Sequence, residues 1–266
     1  MDEAIVLRAD ADGVATLTMN APERLNALSD AMLAALRAAT EEIAADRSIR
    51  AVVLRGAGRA FCAGHDLREM QAGRQAPDGG RAYFADLFAR CAQVMLGLQK
   101  MPQPVIAEVH GIATAAGCQL VASCDMAVAA EGTRFGVNGV NIGLFCSTPM
   151  VALTRAIPPK AAFEMLTTGA FVDAAHAQAL GLVNRVVPEA ELGAASGALA
   201  RSVADKLGAA VRVGKETFYR QMDMTPADAY AHAGQVMVEN MLWRDTEEGI
   251  SAFLEKRPPD WPQRRC

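Results

Sequence analysis

Two stretches of small residues hold the groups best suited to chemistry in this chain. The first is Ala60-Phe61-Cys62-Ala63-Gly64-His65-Asp66-Leu67. The second is Gly111-Ile112-Ala113-Thr114-Ala115-Ala116-Gly117-Cys118-Gln119-Leu120. Each sits where a strand pattern gives way to a helix pattern. Small side chains let a ligand come close to the backbone. The first N–H groups of a helix have no acceptor within it and attract negative charge. Two such groups aimed at one point make an oxyanion hole. Tight packing of a strand on a helix accounts for the same small residues without chemistry, and spacing alone leaves both readings open.

The elements that must hold these stretches follow from periodicity. Val14 to Asn20 alternates as a strand. Ser29 caps a helix with apolar positions Met32, Leu33, Leu36 and Ile43, which closes at Asp46 and Arg47. Ala51 to Leu54 is a short buried strand ended by Gly56-Ala57-Gly58. Arg59 to Met70 is a loop entering a short helix, and the glycine-rich run Gln71 to Gly80 is expected to be mobile. Tyr83 to Lys100 is helical, with Phe84, Leu87, Phe88, Cys91, Met95 and Leu98 on one stripe. Pro104 to Val109 and Met126 to Ala129 are strands around a helix from about Ala116 to Ser123. Pro158 to Thr168 is helical, Asp173 caps the next helix, and Leu182 to Val187 is a strand. Alternation of this kind favours an α/β fold with parallel pairing. After Glu189 the strand patterns stop. Helices are expected near 190–208, 209–222, 226–242 and 246–256, as a C-terminal helical appendage suited to subunit contacts.

Composition narrows the class. A chain of 266 residues can bury a full core without metal or disulfide support. The net charge of −4, with no basic stripe, speaks against nucleic acid or an anionic membrane as partner. No stretch reaches the roughly 18 apolar residues of a membrane span, and Met1 to Asp10 does not read as a leader. The six cysteines, Cys62, Cys91, Cys118, Cys124, Cys146 and Cys266, form no C-x-x-C or zinc spacing. They read as free thiols in a reducing compartment, so a cytoplasmic location is expected. His110, His176 and His232 show no partner pattern.

At the two small-residue stretches the chain resembles the enoyl-CoA hydratase/isomerase (crotonase) family. The first stretch is similar to that family's A-F-x-A-G-x-D-L/I pattern, and the second to its N-G-x-A-x-G-G-G-C-E pattern. Cys124-Asp125-Met126 to Phe135-Gly136, Leu166-Thr167-Thr168-Gly169, Ala179 to Val187 and Glu248 to Arg257 continue the match over nearly the whole chain. The resemblance implies an α/β fold, a spiral of repeated ββα units over residues 1–190. It also implies a helical oligomerisation region over 191–266, with trimers that pair into hexamers. The implied ligand is an acyl-CoA or enoyl-CoA thioester. No separate cofactor or metal is expected, since CoA is part of the substrate. The backbone N–H groups of His65 and Ala116 fall on the family's oxyanion donors, with Ala116 in place of a usual glycine. Arg24, Leu25, Ala27, Ala63 and Asp66 fall on CoA-side positions, and Phe253 and Lys256 on residues that reach a neighbouring subunit's CoA.

The chain departs from the family at both water-activating glutamates, whose positions are held by Gln119 and Gly139. An amide can orient water but cannot take its proton, and glycine has no group to offer. The nominal activity is therefore enoyl-CoA hydration in acyl-CoA metabolism, expected to be slow. The alternatives are a binding or scaffold protein for CoA thioesters, or an isomerase or thioesterase. His65, Asp66, Cys146 and Ser147 are the side chains that could stand in for the lost acids. Returning both carboxylates is expected to raise the hydration rate by more than the two single changes together, provided that Gly139 does not have a positive φ.

Overall fold

A computed structural model describes residues 4–261, and Cys266 lies outside them. β1 (Val6–Ala11) and β2 (Val14–Met19) form an antiparallel hairpin, and α1 (Asp30–Ala45) crosses to β3 (Ala51–Gly56). α2 (Leu67–Gly73) and α3 (Arg81–Lys100) lead to β4 (Val105–Val109), β5 (Ile112–Thr114) and α4 (Ala116–Ser123). β6 (Met126–Ala130) and β7 (Arg134–Gly136) precede α5 (Ser147–Ala156) and α6 (Pro159–Thr168). β8 (Val172–Asp173), α7 (Ala174–Leu180) and β9 (Arg185–Val187) close the α/β part. The tail is α8 (Leu192–Ala204), α9 (Gly208–Gln221), α10 (Pro226–Met241) and α11 (Arg244–Leu254).

The strands form two sheets. The larger runs β1-β2-β3-β4-β6-β9, parallel from β2 onward, and the smaller runs β5-β7-β8. Two passages of the chain, β4-β5-α4 and β6-β7-α5, leave one strand in each sheet and then a helix, the repeat of a ββα spiral. Phe61 and Phe135 are wholly buried in the main core with Leu17, Leu28, Leu54 and Leu98. Burial of side chains this size contributes about 1.5–3 kcal/mol each.

The local signals worked where they were chemical. Ser29 Oγ accepts from Met32 N–H at 3.1 Å, and the stripe Met32, Leu33, Leu36 and Ile43 is buried. Asp173 caps α7 through His176 N–H at 2.8 Å. Gln71 to Gly80 continues α2 and then folds into turns closed by Arg74 N–H to Met70 O, Gln75 N–H to Ala72 O and Gly79 N–H to Ala76 O. Two expectations need correction. The strand expected from Leu182 is shorter, because Leu182 N–H returns to Ala177 O to close α7. The helical region from 191 is not one appendage. α8 lays Leu192, Leu199, Ala200 and Ala204 on the face of the large sheet formed by Val53, Ile106, Val128 and Ala130. Among the described residues, α9 to α11 add no side chain to either apolar core cluster.

α9 is fastened by a buried ion pair. Lys215 Nζ donates to Leu98 O at 2.7 Å, Gln103 O at 2.9 Å and Asp125 Oδ2 at 2.7 Å. Tyr219 Oη donates to Asp125 Oδ1 at 2.8 Å, and Val105 N–H to Asp125 Oδ2 at 2.6 Å. Asp125 is thus a strand-end anchor. Burial pulls the Lys215 ammonium below its ordinary pKa, with Asp125 opposing, and pushes the Tyr219 phenol up.

Candidate active site

The two small-residue stretches meet. Cys62 bridges to Ala113, with Cys62 N–H to Ile112 O at 3.1 Å and Thr114 N–H to Cys62 O at 3.0 Å. Gly117 lies so close to Cys62 O that a Cβ there would collide with it, so only glycine lets α4 start at this depth. A Cβ on Gly64 would stand 3.0 Å from Ala115 Cβ and 3.4 Å from Ala116 N. His65 and Ala116 therefore follow two backbones in contact. Neither N–H donates to a protein acceptor among the described residues. Ala116 is the first residue of α4, where the helix supplies none.

The alanine substitutions leave their mark one residue before the donor. Ala115 has φ +50 and ψ −118, a conformation costing a non-glycine residue about 1–3 kcal/mol. It is held there by Ala115 N–H to Gly136 O at 2.9 Å and Gln119 N–H to Ala115 O at 3.1 Å. Ala116 itself is not among the positive-φ residues, so the left-handed conformation is confined to Ala115 before it.

These donors lie in the wall of a cavity of about 340 Å³. Its lining includes Ala63, His65, Leu67, Met70, Phe88, Thr114, Ala116, Asn138, Gly139, Leu144, Phe145 and Cys146. No Asp, Glu, Lys or Arg lines it. A larger hollow of about 950 Å³ lies by Lys100, Asp125, Arg155 and Tyr219, but neither small-residue stretch lines it. The smaller cavity is the candidate site on chemistry, not on size. No helix among the described residues is long and apolar enough to cross a membrane. No three His, Cys, Asp or Glu side chains among them gather at one point to hold a metal ion.

The positions of the two lost carboxylates behave differently. Gln119 is buried but does not line the cavity, and its Oε1 faces Cys91 Sγ at 4.0 Å. Gly139 does line it and lacks a positive φ. Yet a Cβ on Gly139 would collide with the backbone Leu144 O and stand 2.8 Å from Cys146 Sγ. The segment Leu144–Cys146 fills the space a glutamate side chain would need. The expectation that returning both carboxylates raises the hydration rate is corrected on this ground.

The stand-in groups fare little better. His65 Nδ1 donates to Leu28 O at 3.3 Å, its ring meets Phe88 edge-on at 5.8 Å, and Nε2 is buried with no partner. Burial, more than the nearby Arg90, holds the imidazole below its usual pKa, while the Leu28 contact and Asp30 oppose this. Asp66 is a cap, accepting from Arg68 N–H at 2.8 Å and Glu69 N–H at 3.4 Å. Burial pushes the Cys146 thiol up despite the Gly139 N–H beside it, and Ser147 Oγ turns to Phe145 O at 3.4 Å.

The sign of the His65 shift gives a testable pH dependence. Its folded pKa lies below the unfolded value near 6.5. Below pH 6.5 the unfolded chain binds the proton more readily, so stability present above that pH falls on acidification. Urea midpoints between pH 7.5 and 5 should show this loss, and His65→Gln should remove part of it. An unchanged slope in the variant would contradict the assignment.

The CoA-side positions cluster at the same edge. Ala63 N–H donates to Leu25 O at 3.0 Å, Leu28 N–H to Gly64 O at 2.7 Å and Ala27 N–H to Arg24 O at 3.1 Å. Arg24 reaches Asp66 at 3.4 Å with its guanidinium half exposed. Asn26, which the sequence reading passed over, ties this corner together. It accepts from Ala21 N–H at 3.0 Å and donates to Ala57 O at 2.9 Å and Ala60 O at 2.8 Å. Asx types favour the left-handed φ that Asn26 adopts, which was the available signal. Phe253 is 82% exposed, so it is not core, and neither it nor Lys256 lines the cavity within one chain.

A family model described as enoyl-CoA hydratase/isomerase matches residues 9–264. Enoyl-CoA hydratase domain-containing protein 3, mitochondrial, of Xenopus laevis is 45% identical over 249 residues, covering 94% of this chain and 83% of that protein. A solved enoyl-CoA hydratase of Mycobacterium smegmatis superposes with a TM-score of 0.93 at 56% identity, covering 97% of this chain and 99% of that one. The solved human enoyl-CoA hydratase domain-containing protein 3 gives 0.92 at 44% identity, covering 97% and 100%.

Proposed function

Because the chain belongs to the enoyl-CoA hydratase/isomerase family, we propose that its cavity binds an acyl-CoA or enoyl-CoA thioester and polarises the carbonyl without activating water. The observation that carries this is the pair of unpartnered N–H groups, His65 and Ala116, in a cavity whose second acid position is closed. A thioester oxygen placed between them gains negative charge as an enolate forms, and fixed donors stabilise that charge without reorganising. Arg24, Leu25, Ala27, Ala63 and Asp66 form the CoA-side edge in this reading, and the half-exposed Arg24 offers its charge to a phosphate. Hydration in acyl-CoA metabolism remains the nominal activity, carried out slowly. Isomerisation and thioester hydrolysis are the other chemistries the hole would serve. A second reading, binding without turnover, is favoured by one observation: His65 Nε2 is shut in and Cys146 is held protonated, so no ready base faces the hole. The buried cysteines are free, in keeping with a reducing, cytoplasm-like compartment.

Calorimetry tests the binding. Butyryl-CoA should bind and free CoA should bind more weakly. Malonyl-CoA should bind least, since its carboxylate would enter a wall with no cation. Absence of binding by any acyl-CoA at millimolar concentration would overturn both readings.

The proposal includes a homotrimer or a pair of trimers. α10 buries none of its residues in the single chain, and Met237, Val238, Met241 and Leu242 are exposed on it and at its end. Phe253 and Lys256 would meet a neighbour's CoA only in such an assembly. Light scattering should show assembly at micromolar concentration, and a stable monomer would refute it.

A further inference from the structure

His65 enters the proposed site twice, by its backbone N–H and by its ring. The N–H belongs to the peptide that joins Gly64 to His65. That peptide is trans, so its carbonyl and its N–H point opposite ways. The carbonyl accepts from Leu28 N–H at 2.7 Å, which turns the N–H away from Leu28. Gly64, at φ +91, has no Cβ to limit the swing of this peptide. The ring supplies a second tie. His65 Nδ1 meets Leu28 O at 3.3 Å. A carbonyl only accepts, so the neutral ring carries its proton on Nδ1 and leaves Nε2 bare. Leu28 is wholly buried and pairs with His65 as an isolated bridge. One residue thus grips the peptide by its carbonyl and the ring by its Nδ1.

The socket of the ring has no acceptor for a second proton. Nε2 is buried without a partner, and Phe88 meets the ring edge-on at 5.8 Å. The charges on the surrounding elements are tied to one another. Asp30 of α1 is paired with Arg90 of α3 at 2.7 Å, Tyr83 reaches Asp30 at 3.5 Å, and Arg90 holds Asp86 at 2.6 Å. Glu69 of α2 accepts from Asp30 N–H at 2.7 Å, and Asp66 caps α2 and meets Arg24. Cys146 is the only other titratable group in the cavity lining. Burial works against a charged ring more than any of these groups does. A protonated ring must leave its socket to be solvated, and it draws the backbone of residue 65 with it.

We infer that the neutral His65 side chain is a positioning residue: its bond to Leu28 O holds the backbone N–H that polarises the thioester carbonyl, and protonation of the ring loosens the bound acyl thioester. The inference rests on the thioester reading above. The ring touches no reacting atom and moves no proton. Binding is full above the folded pKa of the ring, which lies below its ordinary 6.5, and is lost as pH falls through it. Conversely, a bound thioester holds the ring neutral to lower pH.

Calorimetry with butyryl-CoA and free CoA between pH 7.5 and 5 tests it, with circular dichroism to confirm the fold at each pH. Free CoA carries the same phosphates but no thioester carbonyl. In the wild type the affinity for butyryl-CoA should fall by roughly tenfold more than that for CoA, within the limit of tenfold per pH unit for one proton. His65→Asn keeps an N–H donor where Nδ1 stands and does not titrate. It should bind butyryl-CoA nearly as tightly as the wild type at pH 7.5 and lose equal affinity for both ligands in acid. His65→Ala should bind butyryl-CoA roughly 2- to 12-fold more weakly at pH 7.5, the range of one hydrogen bond. Equal acid losses for the two ligands in the wild type, or His65→Asn binding no better than His65→Ala, would overturn the inference and leave the thioester reading intact. Absence of butyryl-CoA binding at pH 7.5 would overturn both. The wild-type comparison decides the matter even if a variant does not fold.

Discussion

Offered a short enoyl-CoA, the wild-type protein should consume the conjugated thioester absorbance far more slowly than a hydratase with both carboxylates. Each positioned acid–base group typically contributes about 10²–10⁴-fold, and the cavity holds neither. Addition of water needs a base to make it nucleophilic and an acid to protonate the α-carbon. The His65 and Ala116 donors stabilise the enolate between these steps but perform neither. Gly139→Glu should not restore the rate. Its side chain would be driven into Leu144 O and Cys146 Sγ, and overpacking of this kind costs about 1–3 kcal/mol of stability. Gln119→Glu would place a carboxylate beside Cys91, out of the cavity, where burial favours the protonated acid. The double variant should be no faster than wild type and easier to unfold. A gain in hydration by the double variant would show that Leu144–Cys146 moves aside. Wild-type turnover at an ordinary hydratase rate would mean that another group has taken over the water, with His65, Asp66 and Cys146 the next targets.

Lys215→Ala should be the most destabilising single change away from the cavity. Lys215 is 8% exposed and gives its three ammonium protons to two carbonyls and Asp125. Removing one partner of a buried pair leaves the other charge uncompensated, at a cost of about 3–5 kcal/mol. The urea midpoint should fall with little change in slope, as expected for lost stability without a change in the surface exposed. Lys215→Met with Asp125→Asn should recover part of the loss, because no stranded charge remains. A loss for Lys215→Ala within the range of an exposed pair, below about 1 kcal/mol, would show that water reaches the site.

The features legible in the sequence were those carried by neighbouring residues. Ser29 and Asp173 announced their helices because a cap acts within one turn. The start of α4 at Ala116 followed from a run of small residues. β1 was missed because it is an edge strand with Leu7, Arg8 and Asp10 in sequence and little buried apolar surface. α5 has no capping side chain to announce it, and Pro149 stands in its first turn, where proline is tolerated. The closure of Gly139 by Leu144 and Cys146 is a steric fact about a loop and leaves no periodic trace. Gln119 matched a family position, but a match does not say which way the amide turns. Lys215 and Tyr219 carry no local signal within the helix expected over 209–222. Their partners, Leu98, Gln103 and Asp125, lie about ninety residues or more earlier in the chain.

The packing of α8 sets a constraint on synthesis. The face of the large sheet carrying Val53, Ile106, Val128 and Ala130 is covered by Leu192, Leu199, Ala200 and Ala204. A nascent chain that has released β9 therefore still displays a bare apolar sheet to the cell. Such exposed surface invites aggregation until its cover arrives. The chain becomes safe from wrong partners only once α8 has left the ribosome and docked. A stop codon placed in the interval between β9 and α8 would yield a sticky fragment instead of a smaller working protein.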